Sequence, residues 1–465
     1  MEYRRAYWDE PVNQDLVYRH EREVFPLLRK RYLFSGVQNF AFFDFQTCDG
    51  HVNESVFAYT NRANGERALV LYNNAYQRAR GCVRMSTAIN AGSENQTRLV
   101  RRSLAEALEL SGDHNVYYVC RDHTCGLEYI YSGRQLAQEG LHADLDGYQN
   151  RVLLDFREVR DMDGTWEALA RDLGGQGVPN MNEAHREIIL KPMRDALRQA
   201  LNPVLLKALF SGGSEAMTDV EARRVFVGAM TGFLSALQEQ LIKPLDLDAA
   251  LREILRSVDA VQQARDQIHS LGADRNVVDY LRETGEAAAV SPETWWIVPS
   301  LWAVLAPLGE AVSQSELQAR TAAWMDEWPV TRVVYDVYRE LGLDHTQAML
   351  GTGLAKLMLR YRELPLILTV SERAELLEHM FDDPILNDFL FVNPYEGKLW
   401  LSKEQLEKLM YWLFFCSVVH VLGDQVQVLE NAAEAVHSQY HRVHEVLAAA
   451  ESVKYQVEPL LELLS

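Results

Sequence analysis

Three histidines near the carboxyl end of the chain have the spacing of a metal-binding helix face. His437, His441 and His444 lie at positions i, i+4 and i+7, with Glu434 and Glu445 nearby, so they share one side of a helix. Imidazoles at this spacing can bind zinc or a di-metal centre. A heptad of mostly apolar residues runs beside them and indicates a buried seam instead. Its members are Val426, Leu429, Ala433, Val436, Tyr440, Val443 and Leu447. We interpret the histidines as flanking this seam, and we predict no metal site.

Two short motifs begin like ligand-binding loops and lack the residues that would complete them. Gly351 and Gly353 flank a threonine, but no strand precedes them and no Lys-Ser or Lys-Thr pair follows, so we predict helix packing rather than phosphate binding. Asp161, Asp163 and Gly164 start like a calcium loop without its later ligand positions. We interpret that stretch as a domain linker.

Aromatic, sulfur and carboxylate side chains supply the remaining candidates. Tryptophans of the second half could stack on sugar rings, although aromatic residues at helical spacing are usually core. They are Trp295, Trp296, Trp302, Trp324, Trp328, Trp400 and Trp412. Cys120 and Cys125 could form half of a metal site, but no second cysteine pair accompanies them. Glycoside hydrolysis needs two carboxylates roughly 5–10 Å apart, and spacing identifies no such pair. We therefore predict no catalytic residue and no cofactor, and leave substrate-binding residues open.

The distribution of charge argues against polyanionic partners. The chain of 465 residues has a formal net charge of −20. Residues 1–160 carry 20 basic and 21 acidic side chains, so the remainder carries 46 − 20 = 26 basic and 66 − 21 = 45 acidic side chains. Nucleic acids and anionic membrane surfaces attract basic faces, so we predict neither as a partner.

The pattern of residues changes near position 160. Residues 9–34 have helical periodicity interrupted by Pro26, which we expect to kink the helix or to split off its last turns. About seven short strands follow, including a hairpin around Asn64 and Gly65, and indicate an antiparallel β-sandwich. Helical periodicity then continues to the end. The predicted fold class is α+β, with a helix at 1–36, a sandwich at 37–160 and an all-α domain at 161–465. A further division of that domain is expected near 290–310 or 382–402.

Targeting signals are not evident in this sequence. No apolar run follows a basic start, and the uncharged stretches 294–309 and 409–423 are shorter than the roughly 20 residues of a membrane helix. Five sparse cysteines are not typical of a secreted disulfide framework. We expect a cytoplasmic protein.

Three groups of segments resemble a known family. They are residues 2–3, 18–21 (YRHE) and 25–31 (FPLLRKR); residues 56–62 (VFAYTNR) and 67–73 (RALVLYN); and residues 122–129 (DHTCGLEY) and 153–158 (LLDFRE). In this order they resemble the last barrel helix, the opening hairpin of the carboxyl-terminal β-domain and later strands of that domain in α-amylase-type glycoside hydrolases. Residues 392–397 (VNPYEG), followed by Trp400, Lys403 and Glu404, are similar to a carboxyl-terminal extension of some large bacterial members.

This resemblance implies a non-catalytic role for the chain. The family's nucleophile Asp, acid/base Glu and second Asp lie on the barrel, and no stretch here matches their motifs. The implied identity is therefore the carboxyl-terminal portion of a glycoside hydrolase or glucanotransferase acting on α-glucans, either a truncated product or a fragment. The alternative is a self-standing helical interaction or assembly protein without enzymatic activity. Self-association could use residues 425–453 or residues 9–34.

Overall fold

The computed structural model divides the chain into two compact units, Met1–Ile189 and Leu190–Ser465. It describes residues 12–90, 96–210, 217–241, 244–267, 274–313, 322–362, 364, 379–423 and 429–464. The start of the predicted first helix, residues 9–11, lies outside these ranges, as do Glu2, Tyr3 and Val426.

The first unit contains the strands β1–β10. Their bounds are Ala41–Thr47 (β1), Val56–Ala63 (β2), Glu66–Asn73 (β3), Ala79–Ser86 (β4), Ile89–Asn90 (β5), Leu99–Val100 (β6), Val116–Asp122 (β7), Glu128–Ser132 (β8), Leu141–Leu145 (β9) and Asn150–Arg160 (β10). Eight of them form one antiparallel sheet in the order β8-β7-β10-β3-β2-β1-β4-β9, and β5 pairs with β6. The predicted α+β class is confirmed. The sheet is continuous and curled, so its core is enclosed by curvature rather than between the two separate sheets of a sandwich.

The hairpin between β2 and β3 follows from two residues. Asn64 and Gly65 have φ values of 54° and 83°, the left-handed backbone that a type I′ turn requires at both central positions. Ala63 pairs with Glu66 directly beside the turn, which confirms the predicted hairpin. The edge strand β9 was not predicted, because five residues that include His142 and Asp144 give a weak strand signal.

Apolar side chains on the concave face of the sheet form the core of the first unit. Two short helices, Leu104–Leu108 (α4) and Gly133–Gln138 (α5), pack with this face. Fully buried residues there include Phe43, Phe45, Leu69, Leu71, Leu104 and Tyr118. Ser103 and Glu106 form a capping box that fixes the start of α4.

The opposite, convex face is covered by helices from both ends of the unit. The first are Gln14–Arg19 (α1), a π-helical turn at His20–Val24, Phe25–Arg29 (α2) and Arg31–Ser35 (α3). Pro26 falls in the first turn of α2, as expected from its missing N–H, so the predicted helix is split. Thr165–Leu173 (α6) and the first turns of Met181–Ala200 (α7) cover another part of this face through Leu169 and Met181.

The second unit is helical. After α7, its helices are Pro203–Phe210 (α8), Asp219–Gln238 (α9), Leu247–Gln267 (α10), Arg275–Ala288 (α11), Ile297–Val312 (α12), Trp324–Glu327 (α13), Val330–Glu340 (α14), His345–Arg360 (α15), Pro384–Phe389 (α16), Lys403–Gly423 (α17), Leu429–Ser452 (α18) and Val457–Leu464 (α19). A small hairpin pairs Asn393–Tyr395 (β11) with Lys398–Trp400 (β12). The apolar helices α12 and α17 lie in the core, and no described helix is long and apolar enough to cross a membrane.

The buried seam of α18 differs by one residue from the predicted heptad. Val436 and Val443 are fully buried as predicted. The other buried positions of the seam are Ala432, Gln439 and Val446, each one residue before the predicted Ala433, Tyr440 and Leu447. Tyr440 lies instead at the margin, against Tyr280 of α11 and Phe414 of α17. Packing partners on two neighbouring helices therefore fix the rotation of α18, and periodicity alone does not contain that information.

Candidate functional site

The leading segment, residues 12–35, packs one side against the convex face of the sheet. Leu33 is fully buried there and Leu27 packs beside it. Their neighbours on the sheet are Ala68, Val70, Val152 and Leu154. His123 Nε2 donates a hydrogen bond to the carbonyl oxygen of Glu23 at 2.9 Å. The carboxyl end of the segment is therefore docked by apolar contacts, and its middle by a hydrogen bond.

A polar cluster anchors the same segment to the sheet. Lys30 Nζ lies 2.5 Å from a carboxylate oxygen of Glu66 and 2.9 Å from one of Asp155. The Tyr32 hydroxyl donates to the other Glu66 oxygen. Asp155 occupies the β-bulge of β10 with φ 55°, which brings it within reach of Lys30. Hydrogen bonds from Lys30 and Tyr32 lower the pKa of the Glu66 carboxyl.

The other side of the leading segment leaves large apolar side chains in solvent. The exposed fractions are 52% for Leu16, 44% for Phe25 and 59% for Leu28. No residue of α1, of the π-helical turn or of α2 is buried. Several large apolar side chains exposed within one short segment are typical of a surface that contacts a partner. The leading segment is therefore the candidate interaction surface of the first unit.

The histidine face is only partly assembled. His441 Nε2 lies 3.0 Å from His437 Nε2, whereas His444 Nδ1 donates to the carbonyl oxygen of Tyr440 at 3.0 Å. The His444 ring packs edge-on against Tyr280, and burial lowers its pKa. The structure thus brings two imidazoles together and places the third in an aromatic cluster. Within the described ranges, no group of three or more His, Cys, Asp or Glu side chains could hold a metal ion.

The two loop-like motifs have structural contacts. Gly351 lies within α15, and a Cβ atom there would meet the Tyr338 ring at 2.5 Å, so the glycine permits close packing of α14 on α15. The Asp161 carboxylate accepts hydrogen bonds from the backbone N–H groups of Gly164 and Glu167, at 2.8 and 2.9 Å. These bonds use carboxylate oxygens that a calcium ion would need. They also provide acceptors for backbone N–H groups at the start of α6, which have no partner within the helix.

Most tryptophans of the second unit are core residues. Trp296, Trp324 and Trp412 are buried, in agreement with the helical-spacing interpretation. Cys120 is buried and Cys125 is exposed, and both thiols are free. Trp302 is different, because its indole lines a cleft.

That inter-helix cleft lies between α10, α12 and α17 and encloses about 350 Å³. Two ion pairs lie along it, Arg256 with Glu253 and Arg362 Nη2 with Glu310 at 2.7 Å. Trp302 is 9% exposed, and its Nε1–H finds no acceptor among the residues that the structure describes. The cleft therefore combines charged donors, charged acceptors and an unsatisfied buried donor.

A second, larger groove of about 780 Å³ is mainly apolar. It lies between α14, α15 and α16 and is lined by Tyr335, Met349 and Phe389, among others. At one end Lys356 Nζ contacts both carboxylate oxygens of Asp326 at 2.7 Å. The charges of Lys356 and Asp326 are thus already paired with each other.

Sequence reasoning missed the inter-helix cleft, because its residues come from four separated segments. Positions 253–260, 302–310, 362 and 416–420 converge only after the helices pack. The one available signal was Trp302 among the tryptophans considered for sugar contact. Comparison of the chain with protein-family models, with curated proteins and with solved structures finds no match in any of the three.

Proposed function

We propose that this chain is the non-catalytic carboxyl-terminal portion of an α-amylase-like glycoside hydrolase or glucanotransferase acting on α-glucans. In this proposal the leading segment is the last helix of a catalytic barrel, and its exposed side covers that barrel. The observation that carries the proposal is the solvent exposure of Leu16, Phe25 and Leu28 on a segment whose other side is already docked. The family resemblance of residues 18–21 and 25–31 supports the same assignment.

The energetics of the leading segment favour a covering partner. Fully burying a side chain such as Leu16 or Leu28 contributes about 1.5–3 kcal/mol. Isolated helices shorter than about 12–15 residues are marginal in water, and α1 and α2 have six and five residues. A barrel that buries the exposed side would supply this missing stabilisation. In (β/α)8 barrels each helix packs its inner face against the parallel sheet.

The chain would then support chemistry performed elsewhere. Double-displacement transfer of glucose units needs a nucleophilic carboxylate and an acid/base carboxylate on opposite sides of the scissile bond. No such residues are assigned in this chain. Its contribution would be to close the barrel with the leading segment, to pack the sheet beside it and to present the helical unit.

The proposal is tested by adding a separately produced catalytic barrel to the chain and measuring the protection of the leading segment. The DNA preceding the codon of Met1 in the source genome is sequenced, and any encoded barrel is produced separately and mixed with the chain. We expect amide hydrogen exchange in residues 12–32 to slow at least tenfold in the mixture. Leu28→Asp should abolish this protection, whereas Arg29→Asp, a change at the adjacent exposed position, should preserve most of it. The chain alone should release no glucose from maltooligosaccharides.

The self-standing assembly alternative gives a different result in the same experiments. It predicts that the chain alone dimerises through the exposed side of the leading segment, and that Leu28→Asp returns it to monomer in sedimentation. The absence of an encoded barrel, or unchanged exchange when the barrel is added, would contradict the enzyme proposal.

A further inference from the structure

We propose that His437 and His441 of α18 form a two-histidine site for a divalent late transition-metal ion, with copper(II) bound most tightly. Both residues lie within Leu429–Ser452, one helical turn apart. Their Nε2 atoms are 3.0 Å from each other. The site belongs to the helical unit, whereas the proposed function depends on the leading segment in the other compact unit.

The distance between the two nitrogen atoms fits two ligands of one ion. Imidazole nitrogens bind zinc at about 2.0–2.1 Å. Two nitrogens 3.0 Å apart that both bind at this length subtend an angle of about 90–97° at the ion. Square-planar and octahedral ions hold neighbouring ligands about 90° apart, and square-planar nitrogen sites are typical of Cu²⁺ and Ni²⁺. Of the divalent first-row ions, Cu²⁺ also has the highest general affinity for such ligands.

The orientation of the two rings fits a shared ion better than a hydrogen bond between them. Their centroids are 4.4 Å apart. A straight N–H···N hydrogen bond would hold the centroids about 5.3 Å apart, because each nitrogen would point directly at the other. Two rings that both point at one ion, at the angle given above, would have centroids about 4.7 Å apart. The contact between the rings is therefore bent, which convergence of the two nitrogens on one ion requires.

Both imidazoles can be reached from solvent. His441 is exposed and His437 is half-buried, because they lie beside the buried seam of Val436, Gln439 and Val443 and not in it. In the described part of the chain, neither ring makes a further hydrogen bond. The position beside the seam was the reason to predict no metal site from the sequence. The same position leaves the two nitrogens open to an ion.

The third histidine of this helix does not complete the site. His444 Nδ1 is engaged by the carbonyl oxygen of Tyr440, and its ring packs against Tyr280. The chain therefore supplies two ligands, and water would occupy the other positions on the ion.

The charge around the pair favours a cation. Glu434 lies one turn before His437 and Glu445 one turn after His441, and both are exposed. Their carboxylates attract a positive ion and repel an anion. The neighbouring guanidinium of Arg442 already has a hydrogen-bond acceptor on the same helix.

Titration calorimetry of the full chain, prepared without a histidine tag, tests the site with Cu²⁺, Ni²⁺, Zn²⁺ and Mg²⁺ as separate probes. The exposed thiols of Cys48 and Cys125 are first alkylated, because thiolates also bind such ions. We expect Cu²⁺ to bind most tightly, Ni²⁺ and Zn²⁺ to bind more weakly, and Mg²⁺, which prefers oxygen ligands, to give no heat above the dilution control. Electron paramagnetic resonance of the Cu²⁺ form should show two nitrogen ligands. The absence of saturable Cu²⁺ and Ni²⁺ binding, or binding of Mg²⁺ in their place, would overturn the proposal.

Two ligand variants and two controls locate the ion. His437→Gln and His441→Gln each remove one nitrogen ligand, and each should weaken Ni²⁺ binding by about tenfold or more. His444→Gln removes a histidine from the same helix and should leave the affinity within about twofold of the unchanged chain. Because His444 packs among aromatic rings, His51→Gln, at an exposed loop position of the first unit, provides a second control.

Each result supports or overturns the two-histidine site. Weaker binding in both ligand variants, with unchanged binding in the controls, supports it. Weaker binding in only one ligand variant would mean that a single histidine binds the ion, and equal binding in all four variants would mean an adventitious ion only. Equal loss in a folded His444→Gln chain would replace the pair with a three-histidine site. None of these results bears on the barrel experiment.

Discussion

Gly351 and Gly353 lie two residues apart on α15 and have different neighbours. A Cβ atom at position 351 would lie 2.5–2.8 Å from three carbon atoms of the Tyr338 ring. At position 353 the nearest atom would be a methyl carbon of Ile385 at 3.8 Å, an ordinary contact distance. Tyr338 is itself fully buried, so its ring cannot move aside into solvent. The two glycines therefore offer a matched pair for measuring helix packing.

We predict that Gly351→Ala destabilises the helical unit and that Gly353→Ala does not. The first change overpacks the contact between α14 and α15 and should cost about 1–3 kcal/mol. The second adds only helix propensity and should be neutral or stabilising by up to about 1 kcal/mol. Urea denaturation followed by far-ultraviolet circular dichroism measures both changes. Equal midpoints for the two variants would show that the close approach of Tyr338 is absent.

At Glu66, a shifted pKa makes the docking of the leading segment depend on pH. Because the pKa of this carboxyl is lowered in the folded chain, its contribution is complete above the ordinary carboxyl pKa and is lost as pH falls through the lowered value. We therefore predict faster hydrogen exchange in residues 25–35 below about pH 4, after correction for the intrinsic rate. Glu66→Gln should show this faster exchange already at pH 7, whereas the exposed control Glu54→Gln should not.

Among the elements, the leading segment is docked at its carboxyl end and in its middle, whereas its first helix, α1, has no buried residue. Leu33 is buried in α3. We predict that exchange is fastest in α1, slower in α3 and slowest in strands β2 and β3. Mass spectrometry of peptic fragments resolves these three regions. Slow exchange throughout α1 in a monomeric chain would contradict the prediction, since no described contact accounts for such protection.

Helix α18 depends on its seam rather than on its histidines. We predict that Val436→Glu and Val443→Glu each cost on the order of 3–5 kcal/mol, because each places an unpaired carboxylate in a fully buried position. His441→Glu places the same side chain on an exposed position of the helix and serves as the control. The midpoint temperature of thermal unfolding should fall by at least about 6 °C for the two valine variants, and by much less for the control. If both valine variants unfold within one degree of the unchanged chain, the prediction that these two positions are buried in the seam is wrong.

Local sequence signals predicted these elements well where neighbours in sequence determine them. The Asn64-Gly65 turn and the split at Pro26 each follow from one or two residues. Three of the buried positions of α18 lie one residue before the predicted ones. The rotation of this helix about its axis depends on contacts of Tyr440 with Tyr280 and Phe414, which belong to other helices. The inter-helix cleft was not predicted at all. Its polar residues follow no periodic pattern, and only the packing of α10, α12 and α17 makes them neighbours.

Over the whole molecule, the predicted change at residue 160 coincides with the end of β10, while the first compact unit extends to Ile189. The additional part is α6 and the beginning of α7, which pack on the convex face through Leu169 and Met181. The loop between these helices contains Gly174 and Gly175, both exposed and in the left-handed backbone conformation. This loop is consequently an exposed connection near the division.

We predict that limited proteolysis first cuts the chain within residues 160–177. Exposed loops with glycine are preferred sites of cleavage, and this loop leads out of a packed helix. The amino-terminal product should have a mass of about 18–20 kDa, by proportion of the 53.1 kDa chain. Mass spectrometry of the first fragments identifies the site. A first cut inside β2 or β3 would show that the sheet, not the loop, is the weak point.

The two free edges of the curled sheet limit how copies of this chain can meet. Both edge strands, β8 and β9, have five residues, and α5 joins one to the other. Glu128 of β8 already exchanges two backbone hydrogen bonds with Val178, and Asp144 of β9 is bound by Arg78. Short, occupied and charged edges resist the addition of a further strand. Any aggregates of the chain should thus be held by side chains rather than by extended β-structure, and should dissolve in mild detergent without binding amyloid dyes.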